Sequence, residues 1–153
     1  MGRSRDETLS RALTSPIERA HVPKPIELLL VEDSAGDIML IRQVLSREPV
    51  PISIHVAVDG KQAGEILTAG QFKPDLIMLD QNLPEVSGLS FLERNHPDGP
   101  VIVFTSYANP RDHQRSLQLG AKDYVQKPTD LGEYSEVVSR IVRTWGRLEP
   151  LMA

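Results

Sequence analysis

The sequence has no cysteine. That excludes disulfides, thiol nucleophiles and thiolate metal sites together. No apolar run comes near the roughly 18 residues that a membrane-crossing helix needs. The N-terminus, MGRSRDETLSRALTSP, has no continuous apolar segment of the kind a secretory signal carries. Basic charge is not in surplus: 17 Lys and Arg stand against 21 Asp and Glu, for a net charge of −4. That balance disfavours a dedicated nucleic-acid binder, although a local basic patch is compatible with it. Internal repeats and long low-complexity tracts are missing as well. What is present is ordinary for a globular protein, 40% hydrophobic and 25% charged. A length of 153 residues favours one domain with a single substantial core. We therefore expect a cytoplasmic protein without membrane insertion.

Residues 1–25 are polar, with Pro16, Pro23 and Pro25 toward their end, and are expected to form a flexible extension. Leu9, Leu13 and Ile17 have the spacing of a short helical stripe, which Pro16 interrupts. From residue 26 a regular alternation begins. IELLLV (26–31) is a nearly continuous apolar run. DIMLIRQVLSRE (37–48) sets Ile38, Ile41, Val44 and Leu45 on one helical face. ISIHVAV (52–58) alternates, with Ile52, Ile54, Val56 and Val58 on one side. KQAGEILTAG (61–70) predicts a short helix stopped by Gly70. DLIML (75–79) and VIVF (101–104) are further apolar strands, separated by a brief helical segment, LSFLER (89–94). NPRDHQRSLQLG (109–120) opens on a capping residue with proline next, and closes on glycine. DYVQ (123–126) is a short fifth strand. Asp130 and Glu133 then stand at capping-box spacing before a stripe of Leu131, Tyr134, Val137, Val138, Ile141, Val142 and Trp145. The domain is expected to span 26–148, with 149–153 as a tail.

Strands alternating with helices predict an α/β fold built of βα units, a parallel sheet covered by helices on both faces. Strands 1, 3 and 4 are continuous apolar runs, as central strands are. Strand 2 alternates and strand 5 is short and polar, so both belong at edges. That is the flavodoxin-like doubly wound order 2-1-3-4-5. Its ligand site lies beyond the carboxyl ends of the strands, where the winding reverses.

The residues leaving those ends carry the chemistry. Strand 1 delivers Glu32 and Asp33, strand 3 delivers Asp80 with Asn82 two residues on, strand 4 delivers Thr105 and Ser106, and strand 5 delivers Lys127 and Pro128. Three carboxylates in one pocket repel, and one is forced to stay protonated unless a cation intervenes. A hard divalent ion with oxygen ligands resolves this, and Mg2+ is the cellular default. One carboxylate nucleophile, a divalent ion, a lysine and a hydroxyl together suit a phosphoryl group, whose negative oxygens they share.

At this point the sequence resembles the receiver domains of two-component response regulators. The matching stretches are LLLVEDS, DLIMLDQNLPEVSG, VIVFTS and GAKDYVQKP, in the family's order, across roughly residues 26–148. VEDSAGDI and VSRIVRTW are similar to the stand-alone regulators associated with bacterial phytochrome kinases. The resemblance implies that Asp80 is the phosphoacceptor. It implies that Asp33 and Asp80 ligate Mg2+ with the backbone carbonyl of Asn82, and that Glu32 belongs to the same acidic pair. It further implies that Lys127 pairs with phosphoryl oxygens and that Thr105 turns toward the phosphoryl group on activation. Tyr124 matches the aromatic switch that swings inward when that hydroxyl moves. Pro128 follows a bond that is often cis in the family. The implied partner is a sensor histidine kinase or phosphotransfer protein. The segment between strands 3 and 4 is shorter than is usual for the family.

Blander readings attach to single residues. A strand-end aspartate such as Asp80 is most often a turn cap, Glu32, Asp33 or Ser34 can cap the first helix, and Lys127 alone reads as a surface lysine. Tyr124 can be an ordinary edge-strand aromatic, and Trp145 a packing residue. The histidines at 21, 55, 96 and 113 lack ligand spacing and are taken as surface residues. Arg111, Arg115, Arg140, Arg143 and Arg147 are either solvated charge or, with Asp112, Asp123 and Glu136, a salt-bridged dimer face. Only 26 residues follow Lys127, so direct DNA binding is not expected. Output is expected through a homodimer or partner surface of helix 4, strand 5 and helix 5. An adaptor that works without phosphorylation would lack an acid, the hydroxyl or the lysine, and none is missing. A phosphatase with an aspartate nucleophile needs a second acid two residues on, where Asn82 stands. A flavin phosphate would be repelled by the crowded acids.

Overall fold

The structure, a computed structural model, describes residues 24–146. Among these, five strands alternate with five helices: β1 (Ile26–Val31), α1 (Ala35–Leu45), β2 (Ile52–Ala57), α2 (Gly60–Ala69), β3 (Leu76–Leu79), α3 (Gly88–Arg94), β4 (Val101–Thr105), α4 (Pro110–Gln118), β5 (Asp123–Gln126) and α5 (Leu131–Trp145). The strands form one parallel sheet in the order β2-β1-β3-β4-β5. The continuous apolar runs are the central strands, and every residue of β3 and β4 is buried. On the edge strands β2 is half-buried over most of its length and β5 is partly exposed.

Successive side chains point to opposite faces of the sheet, which divides the core in two. On one face Leu28, Leu30, Met78, Ile102 and Phe104 pack against Ile41 and Leu45 of α1 and Tyr134, Val138, Ile141 and Val142 of α5. On the other, Leu29, Val31, Ile77, Leu79 and Val103 pack against Ala63 of α2, Phe91 and Leu92 of α3, and Tyr124. Trp145 packs at the margin of the first cluster, as a packing residue does.

Each helix begins on a side chain that accepts a backbone N–H: Ser34, Asp59, Ser87, Asn109 and Asp130. Such caps satisfy amides that the helix itself leaves unpaired. Gly70 ends α2 at φ 70°, a conformation in which glycine meets no steric penalty. Several details differ from the sequence pattern. Ser34 caps α1, so that helix starts at Ala35 and stops at Leu45. β2 stops at Ala57 and leaves Val58 exposed. Leu131 is 61% exposed because it is the first residue after the Asp130 cap, before α5 has settled on the sheet. The segment holding Leu9, Leu13 and Ile17, together with His21 and Arg147, lies outside the described residues. Among the described residues no helix is long and apolar enough to cross a membrane.

Candidate functional site

Strand register brings the candidate residues level. Val31 pairs with Leu79, Leu79 with Val103, and Thr105 with Gln126. The next residue along β1, β3 and β5 is therefore Glu32, Asp80 and Lys127, each emerging at the same rim as Thr105. Carboxylate oxygens of Glu32, Asp33 and Asp80 lie within 4.8 Å of one another. The Lys127 Nζ donates to Glu32 Oε1 at 2.6 Å and to Asp37 Oδ2 at 3.2 Å, and lies 3.6 Å from Asp80 Oδ2. Asp80 Oδ1 accepts the Asn82 N–H at 3.2 Å. The fully buried Thr105 hydroxyl accepts from the Asn82 side chain at 3.3 Å and from the Tyr107 N–H at 3.4 Å. Ser106 is exposed and joins none of these contacts in the described structure. The residues that sequence reasoning assembled are thus together. They do not form a roomy pocket. A cleft of about 530 Å³ lies elsewhere, lined by Gly60, Gly64, Thr68, Val86, Arg94 and Asn95.

The electrostatics follow from burial. Glu32 is 2% exposed, and its carboxyl is pushed up to about 9 by that burial and by neighbouring Asp80, against the opposing pull of Lys127. Burial works to lower the Lys127 ammonium, but its bond to Glu32 and the charges of Glu32, Asp80 and Asp37 outweigh it, and the net shift is upward. Lys127 thus stays charged. Among the described residues Glu32 Oε2 is buried with no hydrogen-bond partner. One ammonium faces three acids, Glu32, Asp37 and Asp80, and Asp33 clusters with two of them, with an unpartnered oxygen among them. That donor set of hard oxygens fits a divalent cation.

Two members of the cluster escaped the sequence reading. Asp37 was assigned to the first helix and Tyr134 to an apolar stripe. In the fold the Tyr134 hydroxyl donates to Asp37 Oδ1 at 2.5 Å, while Asp37 Oδ2 takes Lys127. Burial works to raise the Asp37 carboxyl, but Tyr134 and Lys127 prevail and hold it below its ordinary value. The signal was there in principle, since a tyrosine within a buried stripe needs a partner for its hydroxyl. Burial raises the Tyr134 phenol well above its ordinary 10.0, with Asp37 adding to the effect. A phenol raised on folding contributes stability that is full below pH 10 and is lost as pH rises beyond it. Tyr134→Phe is accordingly expected to cost about 1.5–3 kcal/mol at neutral pH, as loss of a hydrogen bond to a charged group does. It should also flatten the alkaline fall in stability. Urea denaturation of both proteins from pH 8 to pH 11 measures this, and parallel curves would refute it.

Tyr124 differs from the expectation of a residue awaiting an inward swing. It is already inward, 7% exposed, stacked on His113 at 4.8 Å, with its hydroxyl bonded to Gln81 at 2.7 Å. His113 is therefore no simple surface residue. Nor is His55, which lies 2.9 Å from Glu27 and packs its ring at a tilt against Phe72. Arg115 and Arg143 pair within the chain, with Glu93 and Glu48. No peptide bond among the described residues is cis, so Lys127–Pro128 is trans, the form a prolyl bond favours by about 0.5–1 kcal/mol.

A doubly wound sheet thus gathers clustered acids, a hydroxyl and a lysine at its switch point, and comparison with known proteins gives its family. Residues 28–139 match the response regulator receiver domain. The chain belongs to that family. Among solved structures, it is similar to the phosphorylated cyanobacterial phytochrome response regulator RcpA, at 31% identity and TM-score 0.74, over 80% of this chain and 94% of that one. It is equally similar to the Mn2+-bound form of response regulator Rcp1, with the same identity and TM-score, over 84% of this chain and all of that one. Among curated proteins, it is 32% identical over 125 residues to a protein-glutamate methylesterase/protein-glutamine glutaminase of Anaeromyxobacter dehalogenans, covering 78% of this chain and 36% of that protein. It is 38% identical to a probable cyclic di-GMP phosphodiesterase of Vibrio cholerae, over 68% of this chain and 24% of that protein. The chain thus spans about a quarter to a third of these curated relatives.

Proposed function

We propose that this protein receives a phosphoryl group on Asp80 from the phosphohistidine of a sensor kinase or phosphotransfer protein. The observation that carries this reading is the convergence of Glu32, Asp33 and Asp80 within 4.8 Å, with Lys127 3.6 Å from Asp80. An Asp80 carboxylate oxygen attacks phosphorus in line. The P–N bond breaks, and its electron pair returns to the imidazole nitrogen. Lys127 and the Thr105 hydroxyl take phosphoryl oxygens, and the Asn82 N–H holds Asp80 Oδ1 in place. Asp33, Asp80 and the Asn82 carbonyl would hold Mg2+, with Glu32 beside them. Bound there, the ion supplies charge neutralisation for the transferring group. Water then cleaves the acyl phosphate and restores the carboxylate.

The output reading is a protein–protein surface on α4, β5 and α5, including a homodimer, with no direct contact to DNA. Edge strand β5 lies in that region, as do Arg111 and Arg140, which make no ion pair among the described residues; sedimentation with and without phosphodonor tests it, and a monomer in both states would count against it.

The central test is intact mass. With Mg2+ and a small-molecule phosphodonor, one phosphoryl group should appear, mapped to the peptide bearing Asp80. A metal chelator should abolish its appearance. Unchanged mass with Mg2+ present, on folded protein, would overturn the reading.

A further inference from the structure

Gln81 follows Asp80 directly and is 8% exposed, yet it is polar. Leaving a carboxamide unsatisfied at such a position is costly. Here each of its groups has a partner. Its Oε1 accepts from the Tyr124 hydroxyl at 2.7 Å. Its Nε2 donates to the Tyr107 carbonyl at 2.9 Å and to Asp112 Oδ2 at 3.2 Å. Only one orientation of the amide works, because turning it over would set its oxygen against a carbonyl and a carboxylate.

The partners come from the β4–α4 loop, the first turn of α4 and β5. Tyr107 donates its N–H to the Thr105 hydroxyl, and Asn109 donates its N–H to the Tyr124 hydroxyl. Asn109 and Asp112 close the circuit, since the Asn109 amide donates to Asp112 Oδ2 at 2.6 Å while Asn109 caps α4. His113 stacks on the Tyr124 ring from the first turns of α4. One side chain, covalently next to Asp80, therefore grips the β4–α4 loop, the start of α4 and the β5 tyrosine at once.

We infer that Gln81 is a positioning residue that clasps Tyr124 inward and ties it to the loop that follows Thr105. In its second half the inference rests on the reading of Asp80 as phosphoacceptor. A tyrosine that is free to rotate could report phosphorylation by its own swing. A clasped one cannot: with Tyr124 inward in both states, a displacement at Thr105 passes to the β4–α4 loop and α4 as a unit. Coupling of this kind moves a packed element and leaves the tyrosine's exposure unchanged.

The three tyrosines make the test self-calibrating. Tyr107 is 75% exposed and Tyr134 is 5% exposed, so they serve as open and closed references for Tyr124. The full chain labelled with 3-fluorotyrosine is compared in H2O and D2O by fluorine NMR, each resonance assigned by a Tyr→Phe variant. In the parent the Tyr124 resonance should show the small solvent isotope shift of Tyr134, with and without phosphodonor and Mg2+. A shift near that of Tyr107 in the unmodified parent would overturn the clasp, and that measurement needs no variant at Gln81. In Gln81→Met, which keeps length and loses all three bonds, the Tyr124 shift should rise toward the Tyr107 value and become sensitive to phosphodonor. A merely space-filling Gln81 would leave the Tyr124 shift of Gln81→Met at the parent value, and that result too would overturn the inference. Phosphorylation is followed separately by mass. An unmodified parent would remove the phosphoacceptor reading, while the comparison of unmodified proteins would still decide whether Gln81 holds Tyr124.

Discussion

Asp80→Asn should take up no phosphoryl group under conditions that modify the parent, and should lose most of the stabilisation that Mg2+ confers. The substitution is nearly isosteric. The carboxamide oxygen can still accept the Asn82 N–H, so the loop after β3 has no reason to move. What disappears is the nucleophilic oxygen anion and one of the three clustered carboxylates. A ligand that binds only the folded state stabilises it in proportion to the logarithm of one plus its concentration over its dissociation constant, about 2.7 kcal/mol at a hundred times that constant. Removing one charged ligand therefore shrinks the rise in melting temperature on adding Mg2+. Mass spectrometry and thermal melts with and without the ion measure both effects. Uptake of a phosphoryl group by Asp80→Asn at the parental rate would show that another residue is the acceptor. A full Mg2+ response in the variant would place the ion elsewhere.

Hydropathy was enough to reveal the sheet because burial is a property of runs. Leu76–Leu79 and Val101–Thr105 have no polar alternation to satisfy on either face, and only central parallel strands provide that environment. Once the order of strands follows, the rim follows too, because each strand's last residue is fixed by where its apolar run stops. Glu32 and Asp80 were legible for that reason, and Lys127 because it follows the short fifth strand at the same rim. The partners of those residues were not. Tyr134 meets Asp37 across 97 positions of sequence, and Tyr124 meets Gln81 across 43. Periodicity states which face a side chain occupies and is silent about what stands opposite. Tyr134 fitted an apolar stripe perfectly well while also being the hydrogen-bond donor to a carboxylate that grips Lys127. Leu131 fitted the same stripe and is exposed, since the stripe cannot say at which residue a capped helix first touches the sheet.

The short α3 bears directly on the site, and Gly88→Ala exposes the link. Gly88 opens that helix and donates its N–H to the Gln81 carbonyl at 3.0 Å. A Cβ there would stand 2.5 Å from the Asp80 carbonyl oxygen and 2.7 Å from Gln81 Cα. Both are backbone atoms of the strand end that presents Asp80, so neither can yield as a flexible side chain would. Either α3 lifts, unseating the buried Phe91 and Leu92, or Asp80 shifts. Forcing an extra methyl into a packed interior costs about 1–3 kcal/mol. A misplacement of roughly 1 Å at a reacting group can cost on the order of a hundredfold in rate. Gly88→Ala should therefore be less stable to denaturant and take up phosphoryl groups far more slowly from the same donor. Gly36→Ala is the control. Its added Cβ would meet only Ser34 Oγ, at 3.8 Å, and in the exposed first turn of α1 alanine should be neutral or stabilise by up to about 1 kcal/mol. If Gly88→Ala matched the parent in both stability and rate, the strand end would be soft enough to absorb the clash. The rigidity with which β3 holds Asp80 would then need another source than α3.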